Sequence, residues 1–456
     1  MKFTKDNLSD IKVALKASLD LISRYQWLID LYVLDFFVDN HWTTISANWR
    51  AFIDQADTQD LAYMLDLEGQ LSWPSNKVWP LEILCLKASI KAYSLDRRPL
   101  EKHELSDLLD LEGQHKGQWP SDFKEAFNEL HHVFRKHIKP KKEHEIVRMS
   151  QTALMMSIKA KDSITRVDIG AGQGHLSRLL AFAYNFNVVC MDAEDDFSKA
   201  ALQFDSDLIK AKKAKADTKA SEAQKPQHVT LRIDPDLAAE VFDSKLELDN
   251  IGLIGLHTCG DLGPSILKLF CSSTKATNVQ SVGCCYMYIK ETFPLSKAIK
   301  ANFNYTTLEL ACHAIETYKD RLKAKNEVQK LKVHNKRAIL EWLINAKRPE
   351  FRHTALKTVK RAHELAFADY ALKATAHLGL FEPEELDTEK IRQMESEWWR
   401  VVAFYTLRLL FGPLLETVLL LDRGLYLLEQ GHESLLVPIF DPRLSPRNFV
   451  LLSHKK

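Results

Sequence analysis

The residues Val167-Asp-Ile-Gly-Ala-Gly-Gln-Gly174 decide the fold of this chain. A β-branched run, Thr165–Ile169, leads into the glycines, and a helical pattern, His175–Tyr184, follows them. Such a turn places backbone N–H groups at a helix N-terminus, where they can bind a carboxylate or phosphate. Glycine is needed there because a Cβ would hold the ligand away from the backbone. The stretch therefore predicts a strand, a ligand-binding turn and a helix.

Further runs of the same kind predict the rest of a sheet. Short β-branched runs alternate with helical patterns after residue 139, which is typical of a parallel sheet with crossover helices. They cover residues 165–169, 187–192, 229–233, 252–257 and 279–284. Two last runs, 435–440 and 449–453, flank a turn with two prolines and predict a β-hairpin. We therefore predict an α/β fold with a seven-stranded Rossmann-like sheet.

The length of 456 residues suits two or three domains rather than one core. Residues 1–138 show helical patterns without strand signals, so we predict an N-terminal all-helical domain there. Residues 139–456 would form the sheet-containing domain. Helical patterns return over residues 290–430, approximately, which predicts a helical insertion before the C-terminal hairpin.

The composition indicates a soluble globular protein, with 46% hydrophobic and 27% charged residues. The longest apolar stretch, 401–421, contains Arg408, Gly412-Pro413 and Glu416. Buried charges are costly in a bilayer, so we predict a buried helix pair or a kinked helix and no membrane partner.

Seven unevenly spaced cysteines do not suggest a disulfide framework, and the first residues do not resemble a secretion signal. We expect a cytoplasmic or nuclear location.

The spacing of the glycines separates two classes of nucleotide-binding turn. Dinucleotide enzymes need G-x-G-x-x-G, but His175 stands in the place of the last glycine. The spacing G-x-G-x-G after an acidic residue is typical of methyltransferases. Asp192 ends the next run, where a carboxylate can accept both ribose hydroxyls of a nucleoside. We predict S-adenosylmethionine as cofactor, bound by Asp168, Gly170, Gly172, Gly174 and Asp192; a structural turn without ligand is the alternative.

Several longer phrases are shared with one family. They are Pro140-Lys-Lys-Glu-His-Glu145, residues 167–174, Gly255-Leu-His-Thr-Cys-Gly-Asp-Leu262, Ser281-Val-Gly-Cys-Cys-Tyr-Met287, Ala311-Cys-His-Ala314 and Leu421-Asp-Arg423. From residue 140 onward the chain resembles the methyltransferase-like protein 25 family, some members of which are named ribosomal RNA adenine dimethylase domain-containing proteins. The resemblance implies a seven-stranded methyltransferase fold and S-adenosylmethionine as donor.

The resemblance would also place the first phrase beside the donor pocket. Lys141, together with His144, could then meet the methionine carboxylate. A solvated helix start is the alternative. Adenine dimethylation, which the name of some family members suggests, is in doubt. Adenine dimethylases carry Asn-x-Pro-aromatic after the fourth strand, whereas this chain has His257-Thr-Cys-Gly-Asp261.

Reacting groups in open α/β sheets lie beyond the carboxyl ends of the strands. His257 or Asp261 could accept a proton from the substrate, and Tyr286 could position or stack it, so we predict these three as catalytic. Alternatively, His257 packs within its strand and Asp261 caps the helix that follows.

Soft ligands are numerous around the same strand ends. They are His257, Cys259, Cys284, Cys285, Cys312 and His313. Because the chain offers no C-x₂-C pair and adjacent cysteines rarely bind one ion together, we predict no metal site.

Overall charge is only +1, but the segment from Lys319 to Arg361 contains fourteen Lys/Arg and four Asp/Glu. This basic segment could bind RNA phosphates, or it could be a solvated helix face. The leading hypothesis is a methyltransferase that acts on RNA or protein. The alternative is a catalytically silent fold that serves as a cofactor-binding or interaction scaffold.

Overall fold

The structure is a computed structural model that describes residues 1–74, 77–111, 127, 132–135, 138–160, 164–214 and 225–455. The chain divides into two compact units. Unit 1 comprises Met1–Leu15, Asp96–Cys312 and Val418–Lys456. Unit 2 comprises Lys16–Leu95 and His313–Thr417.

Unit 1 is built on one mixed sheet. Its strands are β1 (Lys2–Phe3), β2 (Thr165–Ile169), β3 (Val188–Asp192), β4 (Gln227–Thr230), β5 (Ile251–Cys259), β6 (Ala276–Cys284), β7 (Ser434–Pro438) and β8 (Phe449–His454). The spatial order is β1-β7-β8-β6-β5-β2-β3-β4. Strands β2 to β6 pair in parallel, while β7, β8 and β1 pair antiparallel. The predicted α/β fold and its closing hairpin are confirmed.

The predicted count of seven strands is wrong for the described residues, because β1 adds an eighth. Lys2 and Phe3 pair with Leu435 and Ser434 of β7. A strand of two residues is too short to show an alternating pattern, which is why residues 1–138 read as purely helical.

The order of strands creates a crevice next to β2. After β2 the chain continues to β3 and β4 on one side, and then returns to form β5 and β6 on the other side. Asp168 of β2 lies in register with Cys190 of β3 and Ile254 of β5. Because the connections after β2 and β5 lead away in opposite directions, the carboxyl ends of these strands leave room for a ligand.

Helices cover both faces of this sheet in unit 1. They are Lys102–Leu108, His132–Arg135, Pro140–Ala160, His175–Tyr184, Asp195–Ala214, Ala239–Ser244, Leu262–Ser272 and Tyr305–Leu310, with the short 3₁₀ turn Tyr286–Tyr288. Buried side chains of Pro140–Ala160 and His175–Tyr184, such as Ile146 and Leu179, form one core with Ile254 of the sheet. Parallel strands covered in this way are buried on both faces, as β2 is at every position.

Unit 2 contains only helices among the described residues. They are Gln26–Ile29, Ala47–Gln55, Thr58–Leu65, Leu81–Tyr93, Ile315–Lys323, Lys325–Val328, Lys332–Lys347, Phe367–Thr375, Glu389–Ser396 and Trp398–Leu409. Short 3₁₀ helices are Val33–Asp35, His41–Thr44, Gln329–Leu331, Pro349–Phe351, Ala362–Glu364 and Pro383–Leu386. The chain passes from one unit to the other at four points, two of which lie within the helices Leu8–Arg24 and Gly412–Glu429.

The division into units differs from the predicted boundary at residue 138. Helices of the N-terminal part belong with those of the predicted insertion, because they satisfy each other's buried polar groups. The Nζ of Lys319 lies 3.1 Å from Oδ1 of Asp66, and Nη2 of Arg408 donates to the carbonyl of Ile29 at 2.9 Å. Residues 96–111, by contrast, belong to unit 1.

One stretch of the described residues, Trp398–Glu429, is long and apolar enough to cross a membrane. Its most apolar part is wholly buried inside the protein. The stretch consists of two helices, interrupted at Leu410 and Phe411, so the predicted helix pair is found. The buried Arg408 is held by a backbone carbonyl. Burial inside a protein core explains the apolar composition.

Gly424 provides a test of the packing in unit 1. Replacing a helical glycine with alanine normally stabilises a helix by about 1 kcal/mol. At Gly424, however, the added Cβ would overlap the buried ring of Phe3. We expect Gly424→Ala to lower the free energy of unfolding by about 1–3 kcal/mol, measured by urea denaturation.

The control for this prediction is the same change in a Phe3→Ala background. Removal of the ring makes room for the methyl group, so Gly424→Ala should there be neutral or stabilising. A loss of stability of equal size in both backgrounds would contradict the predicted overlap.

Candidate functional site

A cavity of about 680 Å³ lies at the carboxyl ends of β2, β3 and β5 in unit 1. Its volume is within the range of small-molecule and cofactor sites. The lining residues come from the ends of the strands and from three loops: Ile169, Gly170, Asp192, Ala193, residues 231–235, His257, residues 259–262, Tyr288, Lys290 and Glu291. The cavity therefore occupies the crevice that the strand order creates.

The glycine turn has the backbone conformation that its sequence requires. Gly170, Gly172 and Gly174 have φ angles of +69°, +54° and +71°, a region that other L-residues rarely adopt. A Cβ at Gly172 would meet no atom within 4 Å. The turn is thus open at Gly172, and Gly170 lies on the cavity wall.

Asp192, at the end of β3, contacts the turn and also lines the cavity. Its Oδ2 accepts from the backbone N–H of Gly172 at 2.8 Å, and its Oδ1 accepts from that of Glu194 at 3.0 Å. Each carboxylate oxygen has a second lone pair for a further donor. Asp192 is therefore fixed by the backbone and can still accept two hydroxyl groups.

Asp168 lies beneath the turn rather than in the cavity wall. It is 2% exposed, and its Oδ2 accepts from Oγ of Ser177 at 2.6 Å. Burial raises the pKa of Asp168 to about 6, although this hydrogen bond and the charge of Lys142 oppose the shift. Asp168 was predicted to bind the cofactor; in the structure its side chain links β2 to the first turn of the helix His175–Tyr184.

Lys141 and His144 were predicted at the donor pocket, and neither is among the residues that line the cavity. Nζ of Lys141 lies 3.8 Å from Oε1 of Glu145, with half of its side chain exposed. Nε2 of His144 accepts from the backbone N–H of Asp441 at 2.9 Å. His144 thus holds the loop of the C-terminal hairpin. Lys142, the other lysine of this phrase, lies near the buried Asp168, and burial lowers the pKa of Lys142.

His257 lines the cavity and is paired with a buried carboxylate. Its Nε2 lies 3.0 Å from Oε2 of Glu145, which is 1% exposed. Oε1 of Glu145 accepts from Oγ of Ser445 at 2.7 Å. Burial favours a higher pKa of Glu145, but the hydrogen bonds from His257 and Ser445 outweigh it and lower the pKa. An ionised, fixed Glu145 therefore orients the imidazole at the cavity.

Asp261 lines the cavity as well, but its oxygens are occupied. They accept from the backbone N–H groups of Lys290, Glu291 and Thr292 at 3.1–3.2 Å and from Oγ1 of Thr292 at 2.6 Å. These hydrogen bonds outweigh burial and lower the pKa of Asp261. Asp261 does not cap the following helix through its side chain. Its contacts make it the anchor of the 290–292 loop rather than a proton acceptor.

Tyr286 was predicted to position the substrate, but it is 1% exposed and does not line the cavity. The guanidinium of Arg423 lies 5.2 Å from the centre of its ring. Tyr288, two residues later, is 58% exposed and lines the cavity. The short 3₁₀ turn Tyr286–Tyr288 directs the two side chains differently, and the sequence could not distinguish them.

Three cysteines meet next to the cavity. Sγ of Cys259 lies 3.0 Å from Sγ of Cys284, and Sγ of Cys285 completes a group whose members lie within 4.8 Å of one another. The hydrogen bond from Cys284 lowers the pKa of Cys259 to about 6, while the pKa values of Cys284 and Cys285 are raised. Cys259 lines the cavity.

Sequence reasoning also missed one wall of the cavity. Residues 231–235 follow β4 and include Asp234. The predicted run 229–233 ends later than β4, which closes at Thr230. The rule that sites lie beyond the carboxyl ends of strands applies to this strand as well, and it could have indicated Asp234.

The basic segment from Lys319 to Arg361 lies within unit 2, and many of its charges have partners there. Carboxylates pair with Lys319, Lys323, Lys330, Lys347, Arg348, Arg352 and Arg361. The ammonium of Lys336 donates to the carbonyls of Ala362 and Leu365. Carboxylates from outside the segment pair with Lys319, Lys347, Arg352 and Arg361, so only part of the excess positive charge is neutralised.

Comparisons with known proteins agree with this geometry. A methyltransferase domain family matches residues 141–292. The probable methyltransferase-like protein 25 of human is 28% identical over 313 residues, covering 62% of this chain and 50% of that protein. The mouse protein of the same name is 28% identical over 245 residues, covering 48% of this chain and 40% of its own length. The chain thus spans half of the length of the human relative and less than half of the mouse relative.

A structural match is the crystal structure of coclaurine N-methyltransferase bound to N-methylheliamine and SAH. It is 10% identical, has a TM-score of 0.23, and covers 87% of this chain and 99% of that chain. The domain match includes the glycine turn, Asp192, Glu145 and His257. Residues 141–292 therefore match a methyltransferase domain, and the chain is similar to methyltransferase-like protein 25.

Proposed function

We propose that this protein transfers a methyl group from S-adenosylmethionine to a nucleophilic atom of an RNA or protein substrate. The observation that carries the proposal is the cavity at the strand crossover, which has the glycine turn and Asp192 at one end and His257 in its wall. When bound, the cofactor supplies an electrophilic methyl group on a sulfonium. The protein then has to orient the acceptor and exclude water.

The residues at the turn fit the cofactor. The open side of Gly172 and the wall at Gly170 leave space for a nucleoside and its amino acid, and Asp192 has acceptor sites for ribose hydroxyls. Lys142 supplies a positive charge near the same strand end, which suits a methionine carboxylate better than the more exposed Lys141.

His257 is the residue that we assign to proton removal from the acceptor. Its Nε2 is engaged by Glu145, so Nδ1 is the nitrogen that can accept a proton. Glu145 then stabilises the charge that the imidazole gains. Tyr288 presents an exposed aromatic ring at the same wall, and we assign it the positioning role.

The class of acceptor is decided by experiment. Extract from cells that lack the protein is incubated with the purified chain and methyl-labelled donor, and then digested with nuclease or protease. Loss of label on nuclease digestion identifies RNA, and loss on protease digestion identifies protein. Binding of S-adenosylmethionine is measured by calorimetric titration and by the shift in melting temperature. If the titration gives no heat and the melting temperature does not change, the protein is a scaffold and the proposal is wrong.

Asp192→Ala is expected to weaken the binding of S-adenosylmethionine roughly 10–100-fold, because hydrogen bonds to a charged group are lost. Affinity is measured by isothermal titration calorimetry. Asp196→Ala is the control, since Asp196 lies close by on Asp195–Ala214 with a 98% exposed side chain. Unchanged affinity in Asp192→Ala, with the fold intact, would rule out the assigned ribose contact.

His257→Ala is expected to lower the rate of methyl transfer about 100-fold or more, with little change in donor affinity. Glu145→Gln should have a smaller effect, because its single oxygen must serve both His257 and Ser445. Rates are followed with labelled donor on the extract fraction that accepts the label. His377→Ala changes an exposed histidine of unit 2 and serves as control. Equal rates in His257→Ala and the control would refute the assignment.

A further inference from the structure

We propose that Cys259, Cys284 and Cys285 form a binding site for a thiophilic divalent cation, with zinc as the natural occupant. The three thiols come from the ends of β5 and β6, which are neighbours in the sheet. Their sulfur atoms lie within 4.8 Å of one another. These thiols are not among the groups assigned to the donor or to proton transfer, although Cys259 lines the same cavity.

The spacing of the sulfur atoms suits a tetrahedral ion. Zn–S bonds of about 2.3 Å place two thiolates of one tetrahedral site about 3.8 Å apart. The sulfur atoms of Cys259 and Cys284 are 3.0 Å apart, and all three sulfur atoms lie within 4.8 Å of one another. The required distance lies between these values, so small side-chain rotations bring all three atoms onto one ion.

Backbone conformation explains how two adjacent cysteines can point to one place. Successive side chains of a strand lie on opposite faces, which is why Cys284 and Cys285 did not suggest a shared ion. Cys285, however, has φ +31° and ψ 52°, in the left-handed region that non-glycine residues rarely adopt. The alternation is broken there, and Sγ of Cys285 joins the group. Strain of this kind is typically kept at functional positions.

The surroundings allow an ion to enter. Cys259 is exposed and lines the cavity, Cys285 is half-buried, and Cys284 is buried. Three protein ligands leave a fourth position, as in zinc sites that also bind water or substrate. Binding of the ion releases the protons of the thiols, so no oxidant or reductant is required.

A second group of possible ligands in the described part of the chain behaves differently. Asp35, Glu341 and His353 lie together in unit 2. Nη2 of Arg352 lies 3.0 Å from Oδ1 of Asp35, and Nε2 of His353 lies 2.9 Å from the same oxygen. This carboxylate already has cationic and hydrogen-bonding partners. In the cysteine group, by contrast, the thiol of Cys259 contacts the thiol of Cys284.

The test is a titration of the metal-free, fully reduced full-length protein with Co²⁺. One Co²⁺ per chain should bind and give the near-ultraviolet charge-transfer band of cobalt thiolates, and Zn²⁺ should displace it. Cys259→Ser, Cys284→Ser and Cys285→Ser should each weaken binding by at least the ~10–100-fold that outer-shell changes alone cost. Cys85→Ser, in unit 2, is the control and should bind normally. Absence of the band, or its persistence in the triple variant, would overturn the proposal.

A measurement on the unaltered protein covers the case in which a variant fails to fold. Zn²⁺ should slow alkylation of Cys259 and Cys285 and leave Cys85 unaffected, as read by mass spectrometry. If the protein instead carries a Cys259–Cys284 disulfide and takes up no Co²⁺ after reduction, the group is a redox pair and not a metal site. Neither measurement involves methyl transfer, so the result is independent of the proposed function.

Discussion

The strand order around β2 is the constraint on which the rest of the site depends. Because β3 and β5 flank β2 and their connections lead in opposite directions, a crevice opens at one end of the sheet. The glycine turn forms one wall of this crevice. Its three glycines all have positive φ angles, which other residues rarely adopt. Asp192 then ties the turn to β3 through the N–H of Gly172. The strand order therefore creates the cavity. Local hydrogen bonds then fix the positions of the residues that line it.

Acidic residues around the cavity divide into two kinds. Asp168 and Asp261 have their oxygens directed at protein donors, and both hold a loop or turn in place. Asp192 and Glu145 are also fixed by hydrogen bonds, but they leave a group available at the cavity: a lone pair in one case, the imidazole of His257 in the other. A carboxylate close to a site is thus informative only when its partners are known.

The sequence predicted the sheet well because each strand carries its own local signal. Thr165–Ile169 and the helix His175–Tyr184 were found with their observed bounds, and the hairpin was placed correctly. Features that depend on distant residues were not predictable. Glu145 and His257 are 112 positions apart, and no pattern in either segment shows that they meet. The backbone at Cys285 likewise departs from regular strand geometry, which period-two reasoning cannot foresee.

The anchoring of residues 290–292 by Asp261 has a consequence for the two sides of the cavity. Moving this loop outward would leave several amide donors and a hydroxyl without acceptors, so that side is stiff. Another wall of the cavity, residues 231–235, follows β4, a four-residue strand at the sheet edge with no fully buried member. Segments with few buried contacts open at low cost. We therefore expect the cavity to widen from the β4 side, while the wall that Asp261 holds stays in place.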